Sequence, residues 1–250
     1  MASAPPLIFS RQRKSARRHR AERILSSGNG DPFLLRHMAE DIVERLAFLR
    51  HEPARVLVDG FDAGCLAAQP WPHAIAIESV GMRDFDDPLP QTAASYDMVA
   101  SINSLDTVND LPGALIQMRE LLVPGGLAIA SFVGGMSLVT LRQAMMAAEP
   151  DRPAARMHPL IDPRSCPQLQ QRAGWKSPVV DSHVLKVRYG AMDRLVEDLR
   201  AQAIGNVLAD PAGPLSPSSA NSARQAFLSH ADEDGRVTVQ FEIVTLTGWR

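Results

Sequence analysis

The stretch R-V-L-V-D-G-F-D-A-G at residues 55–64 constrains this chain more than any other. Val56, Leu57 and Val58 make a short apolar run that stops at Asp59 and Gly60, and Gly64 follows four residues later. A buried strand feeding a tight glycine-bearing turn is the opening piece of an open α/β sheet. The crevice beside such a turn is where these sheets hold a nucleotide-like ligand. The middle position of a G-x-G-x-G loop is Asp62 here, so the turn keeps only its two outer glycines, Gly60 and Gly64.

The flanking pattern extends the sheet. Residues 31–50 recur in Leu34, Leu35, Met38, Ile42, Leu46 and Leu49, the spacing of a helix with one buried face, with Asp31 as its cap and Pro32 in its first turn. A second apolar strand, A-I-A-I at 74–77, ends at Glu78, after a connection too short for a full crossover helix. A loop with Asp84, Asp86 and Asp87 follows, read as solvated because it lacks the glycine and distal glutamate of a calcium loop. Further strands are expected at 96–103 and 127–133, with a helix capped by Asp110 between them and another at 136–149. Later come a helix at 163–173, a strand at 178–189, a helix at 191–203, a turn-rich loop at 210–222 and a period-two strand at the C-terminus. Alternating strands and helices predict a mostly parallel sheet.

Composition narrows the function classes. At 250 residues, 45% hydrophobic and 22% charged, the chain reads as one soluble domain spanning 1–250, with 1–30 a basic N-terminal arm and 210–222 a flexible loop. A net charge of -2 supplies no global field for nucleic acid. Cys65 and Cys166 have no metal spacing and form no disulfide framework, which together with the absence of a secretory h-region reads as cytoplasmic. No run approaches the ~18 apolar residues of a membrane span. Arg11, Arg13, Lys14, Arg17, Arg18, Arg20 and Arg23 crowd one short segment. It reads as a solvated, mobile cationic helix; the competing reading is a helix facing RNA, acidic lipid or an acidic protein.

Six segments carry a resemblance: I-F-S-R at 8–11, Y-D-M-V-A-S-I-N-S-L-D-T-V-N-D-L-P-G-A-L at 96–115, L-V-P-G-G-L at 122–127, R-A-G-W at 172–175, Y-G-A-M-D-R-L-V-E-D-L-R at 189–200, and G-R-V-T-V-Q-F-E-I-V-T-L-T-G-W at 235–249. Together they resemble the class I S-adenosylmethionine-dependent methyltransferases, and more narrowly the family of mitochondrial complex I assembly factor five and its bacterial relatives. The resemblance implies a Rossmann-like, seven-stranded sheet whose last strand is antiparallel. It implies S-adenosylmethionine as cofactor and no metal. The mitochondrial member is an arginine hydroxylase acting on a complex I subunit; others are methyltransferases, and a cousin family methylates a carrier-protein thioester.

Against the family's D-x-G-x-G-x-G loop, Val58 stands at the leading acid and Asp62 at the middle glycine. Asp59 is one step off, and one step along a strand turns a side chain to the opposite face. A carboxylate beside the ligand's own carboxylate costs on the order of 1–4 kcal/mol. Glu78 matches the acid that grips the ribose. After it the chain reaches the L-P at 89–90 directly, where the family has a helix and a further strand, so the third, edge strand is expected to be missing or reduced. Asp106-Thr107 replaces the family's His-Trp pair. Two readings result. One is a pseudoenzyme: a non-catalytic scaffold that binds a protein partner in assembly or maturation of a respiratory complex. The alternative is an active S-adenosylmethionine-dependent methyltransferase, or related hydroxylase, acting on a protein or small molecule. There Gly60, Asp62, Gly64, Glu78, Ser101 and Asn103 would contact the cofactor, Ser101, Asn103 and Asp106 would line the acceptor side, and Asp106 and His158 would be the candidate catalytic groups.

Overall fold

The computed structural model describes residues 7–80, 93–150 and 154–250. The cluster of Asp84, Asp86 and Asp87 lies outside the described residues. The chain begins with helices α1 (Arg11–Ser26) and α2 (Phe33–Leu49), then strands β1 (Arg55–Gly60), β2 (Ala76–Ser79) and β3 (Tyr96–Ile102). Helix α3 (Leu111–Leu121), strand β4 (Leu122–Val133), helices α4 (Val139–Ala147) and α5 (Cys166–Arg172) and strand β5 (Lys176–Tyr189) follow. Helices α6 (Met192–Ala201) and α7 (Pro217–Leu228) and strand β6 (Val237–Trp249) complete it.

The described strands form one sheet in the order β2-β1-β3-β4-β6-β5. The first four are parallel, and β6 runs antiparallel to both β4 and β5. The last strand thus enters between its two predecessors and leaves β5 at the edge. On the other side β2 is the outermost described strand. Residues 80–95 connect β2 to β3, and 81–92 of them, where the sequence leads to the expectation of a missing or reduced edge strand, lie outside the described residues.

Strand parity divides the core. Val56, Val58, Met98, Ala100 and Ile129 face Leu35 and Met38 of α2, Leu195 of α6 and Phe227 of α7. Leu57, Val99, Ala128 and Ala130 face Leu115 and Met118 of α3 and Cys166 of α5. Asp110 caps α3 as its sequence predicts, accepting the Gly113 N–H at 3.0 Å.

Three expectations change. The run at 11–23 is not a solvated arm: α1 docks on the body, with Lys14, Arg17, Arg18 and Ala21 buried. These lie at i, i+3, i+4 and i+7, one face of a helix, and the hydroxyl and carbonyl oxygens beneath them accept from guanidiniums. Asp31 does not cap α2. It pairs with Arg36 at 2.9 Å, and the Leu34 N–H is met by Gln202 Oε1 at 2.6 Å from the end of α6. The loop at 210–222 stops at Ser216, whose hydroxyl accepts the Ser219 N–H, and Pro217 opens α7.

Candidate functional site

The turn after β1 stands where the strand order reverses, with β2 on one side and β3 on the other, the place open α/β sheets use for ligands. Gly60 has φ +97°, and a Cβ there would lie 2.0 Å from the Ile102 carbonyl oxygen of β3. Phe61 N–H donates to that same oxygen at 3.1 Å, so the close approach of β1 to β3 itself requires glycine. Ala63 and Gly64 follow with φ of +53° and +75°. Asp62 closes the turn: one carboxylate oxygen accepts the Gly64 N–H at 3.1 Å, the other the Leu66 N–H at 3.1 Å, and its carbonyl accepts the Cys65 N–H at 2.9 Å. The N–H groups of Gly64, Cys65 and Leu66 are thus all met by Asp62, two by its carboxylate and one by its carbonyl.

A cavity of about 380 Å³ lies beside this turn, bounded by residues 60–64 and Ser79 and roofed by Arg18, Glu22, Leu25 and Ser26 of α1. Arg18 is 1% exposed, with Nη2 3.5 Å from the Ser104 hydroxyl. Glu78 is not in this lining. In register with Leu57, it accepts the Tyr96 hydroxyl at 2.7 Å and faces Arg55 at 3.4 Å. The Tyr96 hydrogen bond, then Arg55, holds the Glu78 carboxyl below its ordinary value against the opposing effect of burial. Burial and Glu78 together push Tyr96 up to about 12.

At the end of β3 the remaining predicted residues separate by face. Ser101 donates to Asp59 at 2.8 Å, both fully buried on the α3 side, so Asp59 does not stand in for the acid missing at Val58. Asn103, with φ +52°, donates its backbone N–H to the Ser131 carbonyl and its side-chain amide to the Gln202 carbonyl, each at 2.9 Å. Asp106 sits in a one-turn 3-10 helix (Leu105–Thr107) and meets His158 at 3.9 Å, both at least nine-tenths buried. Burial raises the Asp106 carboxyl, but His158 and the Arg17 guanidinium outweigh it, and the net displacement is downward. Such a carboxylate–imidazole pair can orient a ring for proton transfer. Among the described residues no group of three or more His, Cys, Asp and Glu could hold a metal ion.

Sequence reasoning missed Arg17 and Arg18, which place α1 against the ends of the strands. Their signal is the helical spacing of 14, 17, 18 and 21, concealed because three of the four positions hold cations.

No family profile matches the chain. In sequence it is similar to arginine-hydroxylase NDUFAF5, mitochondrial, of Mus musculus, 26% identical over 97% of this chain and 77% of that protein. It is also similar to the malonyl-[acyl-carrier protein] O-methyltransferase of Gallionella capsiferriformans, 24% identical over 95% and 91% of the two chains. In structure it is similar to the YcgJ protein of Bacillus subtilis, with a TM-score of 0.53, 12% identity and coverage of 86% and 98%. The chain has the Rossmann-like class I methyltransferase fold, with its last strand antiparallel.

Proposed function

We propose that this protein is a methyltransferase-fold scaffold that closes its own cofactor loop and works by binding a protein partner in the assembly or maturation of a respiratory complex. The observation that carries this reading is the Asp62 carboxylate seated on the Gly64 and Leu66 N–H groups. S-adenosylmethionine ends in a carboxylate, and the loop donors it would use are already taken by a like charge. Two further features support the reading. Gly60 is required by the approach of β1 to β3, so its presence carries no information about a ligand. Glu78, the residue that would grip the ribose, is bound to Tyr96 and Arg55 outside the cavity lining. The respiratory-complex setting comes from the likeness to the NDUFAF5 proteins.

The second reading is an active S-adenosylmethionine-dependent methyltransferase, or related hydroxylase, of a protein or small molecule. The cavity of about 380 Å³ at the switch point favours it; the Asp106–His158 pair, its candidate catalytic groups, does not line that cavity. Isothermal titration calorimetry with S-adenosylmethionine decides between them. The scaffold reading expects no binding tighter than ~100 μM, about 5.5 kcal/mol. Tighter binding, displaced by S-adenosylhomocysteine, would sink it. Asp62→Gly alone is not expected to bring the Kd below ~100 μM, because Glu78 remains held elsewhere; recovery of binding past that point by this one change would make Asp62 the sole obstacle. Partner capture is best done with the whole chain, since removing α1 would expose the surface under Lys14, Arg17, Arg18 and Ala21.

A further inference from the structure

A second cavity, of about 430 Å³, lies between α1, α4, α6 and the segment at 156–160. Its volume falls in the range of small-molecule sites. Its walls are apolar, with Leu141 and Met145 from α4, Leu199 from α6 and Ile204 just beyond it. Its charged lining is cationic: Arg13, Arg17 and Arg20 from one side of α1, Arg156, and Arg200 from α6. Among the described residues no acidic side chain lines it. Glu149 engages Arg156 at 2.6–2.9 Å, and Asp106 lies against His158 and influences Arg17, but both carboxylates stand behind the lining. His158 is 7% exposed, lines this cavity, and its Nδ1 makes no hydrogen bond among the described residues.

Apolar walls with several guanidiniums and one buried imidazole select one ligand chemistry. We propose that this cavity binds a small anion with an apolar body: a carboxylate or phosphate head on an aliphatic chain. The head meets the arginine side, where planar guanidiniums give paired hydrogen bonds to oxyanions. The chain lies along Leu141, Met145, Leu199 and Ile204. The cationic lining disfavours a guanidinium as occupant. The inference does not depend on whether the turn at 60–64 binds a cofactor, because α1 separates the two cavities: Arg18 and Glu22 face one, Arg17 and Arg20 the other.

The test is calorimetric titration of the full chain with octanoate, octyl phosphate, octylammonium and acetate at low and moderate salt. At least one octyl anion is expected to bind, at least tenfold more tightly than octylammonium or acetate, and to weaken as salt rises. Preference between octanoate and octyl phosphate identifies the head group. Arg20 and Arg200 are exposed. The double variant Arg20→Glu, Arg200→Glu is expected to keep its circular dichroism spectrum and bind the octyl anion at least tenfold more weakly. If charge reversal disturbs the fold, Arg20→Gln, Arg200→Gln takes its place, with the same direction expected. Failure of both octyl anions to bind, equal binding of octylammonium, acetate binding as tightly as octanoate, or an unchanged affinity in the folded double variant would each overturn the proposal.

Discussion

A methyl group at position 60 would sit 2.0 Å from the Ile102 carbonyl, and no side-chain movement relieves a clash with backbone. At position 64 the backbone is also left-handed, but a Cβ there meets nothing within 4 Å. The two glycines of one loop therefore answer to different physics, close approach at the first and torsion at the second. Gly60→Ala is expected to cost about 3 kcal/mol or more, because β1 and β3 must part. Gly64→Ala is expected to cost roughly 1–2 kcal/mol, the penalty of a left-handed non-glycine residue. Urea denaturation of both variants checks this, and equal costs would show that the turn, not the strand approach, selects Gly60. The sequence already separates Val58 from Asp59, since strand parity alone puts the Asp59 carboxylate on the far face, where Ser101 meets it. It does not reveal that Asp62 folds back on its own loop. That depends on successive positive φ values at Ala63 and Gly64, which alternate-residue patterns do not encode.

At the scale of elements, α1 inverts the usual relation between charge and exposure. Its buried face is occupied by Lys14, Arg17 and Arg18, which carry long apolar stems, and the two arginines end on oxygen acceptors. Removing such a side chain loses packing and strands its acceptors together. Arg18→Ala is expected to destabilise by about 2–4 kcal/mol, while Arg20→Ala, two residues on and exposed, should stay within about 0.5 kcal/mol. Thermal unfolding of the pair measures the contrast; similar melting points would return α1 to a solvated arm. Helices with ordinary faces, such as α2 and α6, were legible because Leu35, Met38 and Leu195 repeat at helical spacing. The early start of α7 was masked by its composition: P-S-S-A-N-S reads as a loop, yet Ser216 and Pro217 are also a helix start. The α2 cap was illegible for another reason, since Gln202 reaches it from 168 residues away.

At the scale of the whole molecule, alternation of strands and helices predicts a parallel sheet, and four of the six described strands follow it directly. The insertion of β6 between β4 and β5 is a long-range pairing that local spacing does not encode; the family resemblance supplied its direction and not its place. Closing this sheet beneath its helices buries every ionisable thiol and phenol in the chain: Cys65, Cys166, Tyr96 and Tyr189. Burial pushes both thiols up to about 11 and Tyr96, with help from Glu78, up to about 12, and it raises Tyr189 as well. All four shifts have one sign. Each neutral group loses its proton in the unfolded chain at its ordinary value, about 9 for the thiols and about 10 for the phenols, while the folded chain keeps it. Above those values the unfolded state binds fewer protons, so stability falls as pH rises and has its full contribution only below them. Denaturation midpoints are therefore expected to hold constant through neutral pH, decline from about pH 9, and continue falling to about pH 12. Tyrosinate absorbance at pH 10.5 is expected only in proportion to the unfolded fraction, and native thiols should resist an aromatic disulfide reagent at pH 8. Tyrosinate appearing at pH 10.5 in protein whose far-ultraviolet circular dichroism remains native would place Tyr96 or Tyr189 in water, and its persistence in Tyr189→Phe would assign it to Tyr96 and release Glu78 from its hydrogen bond.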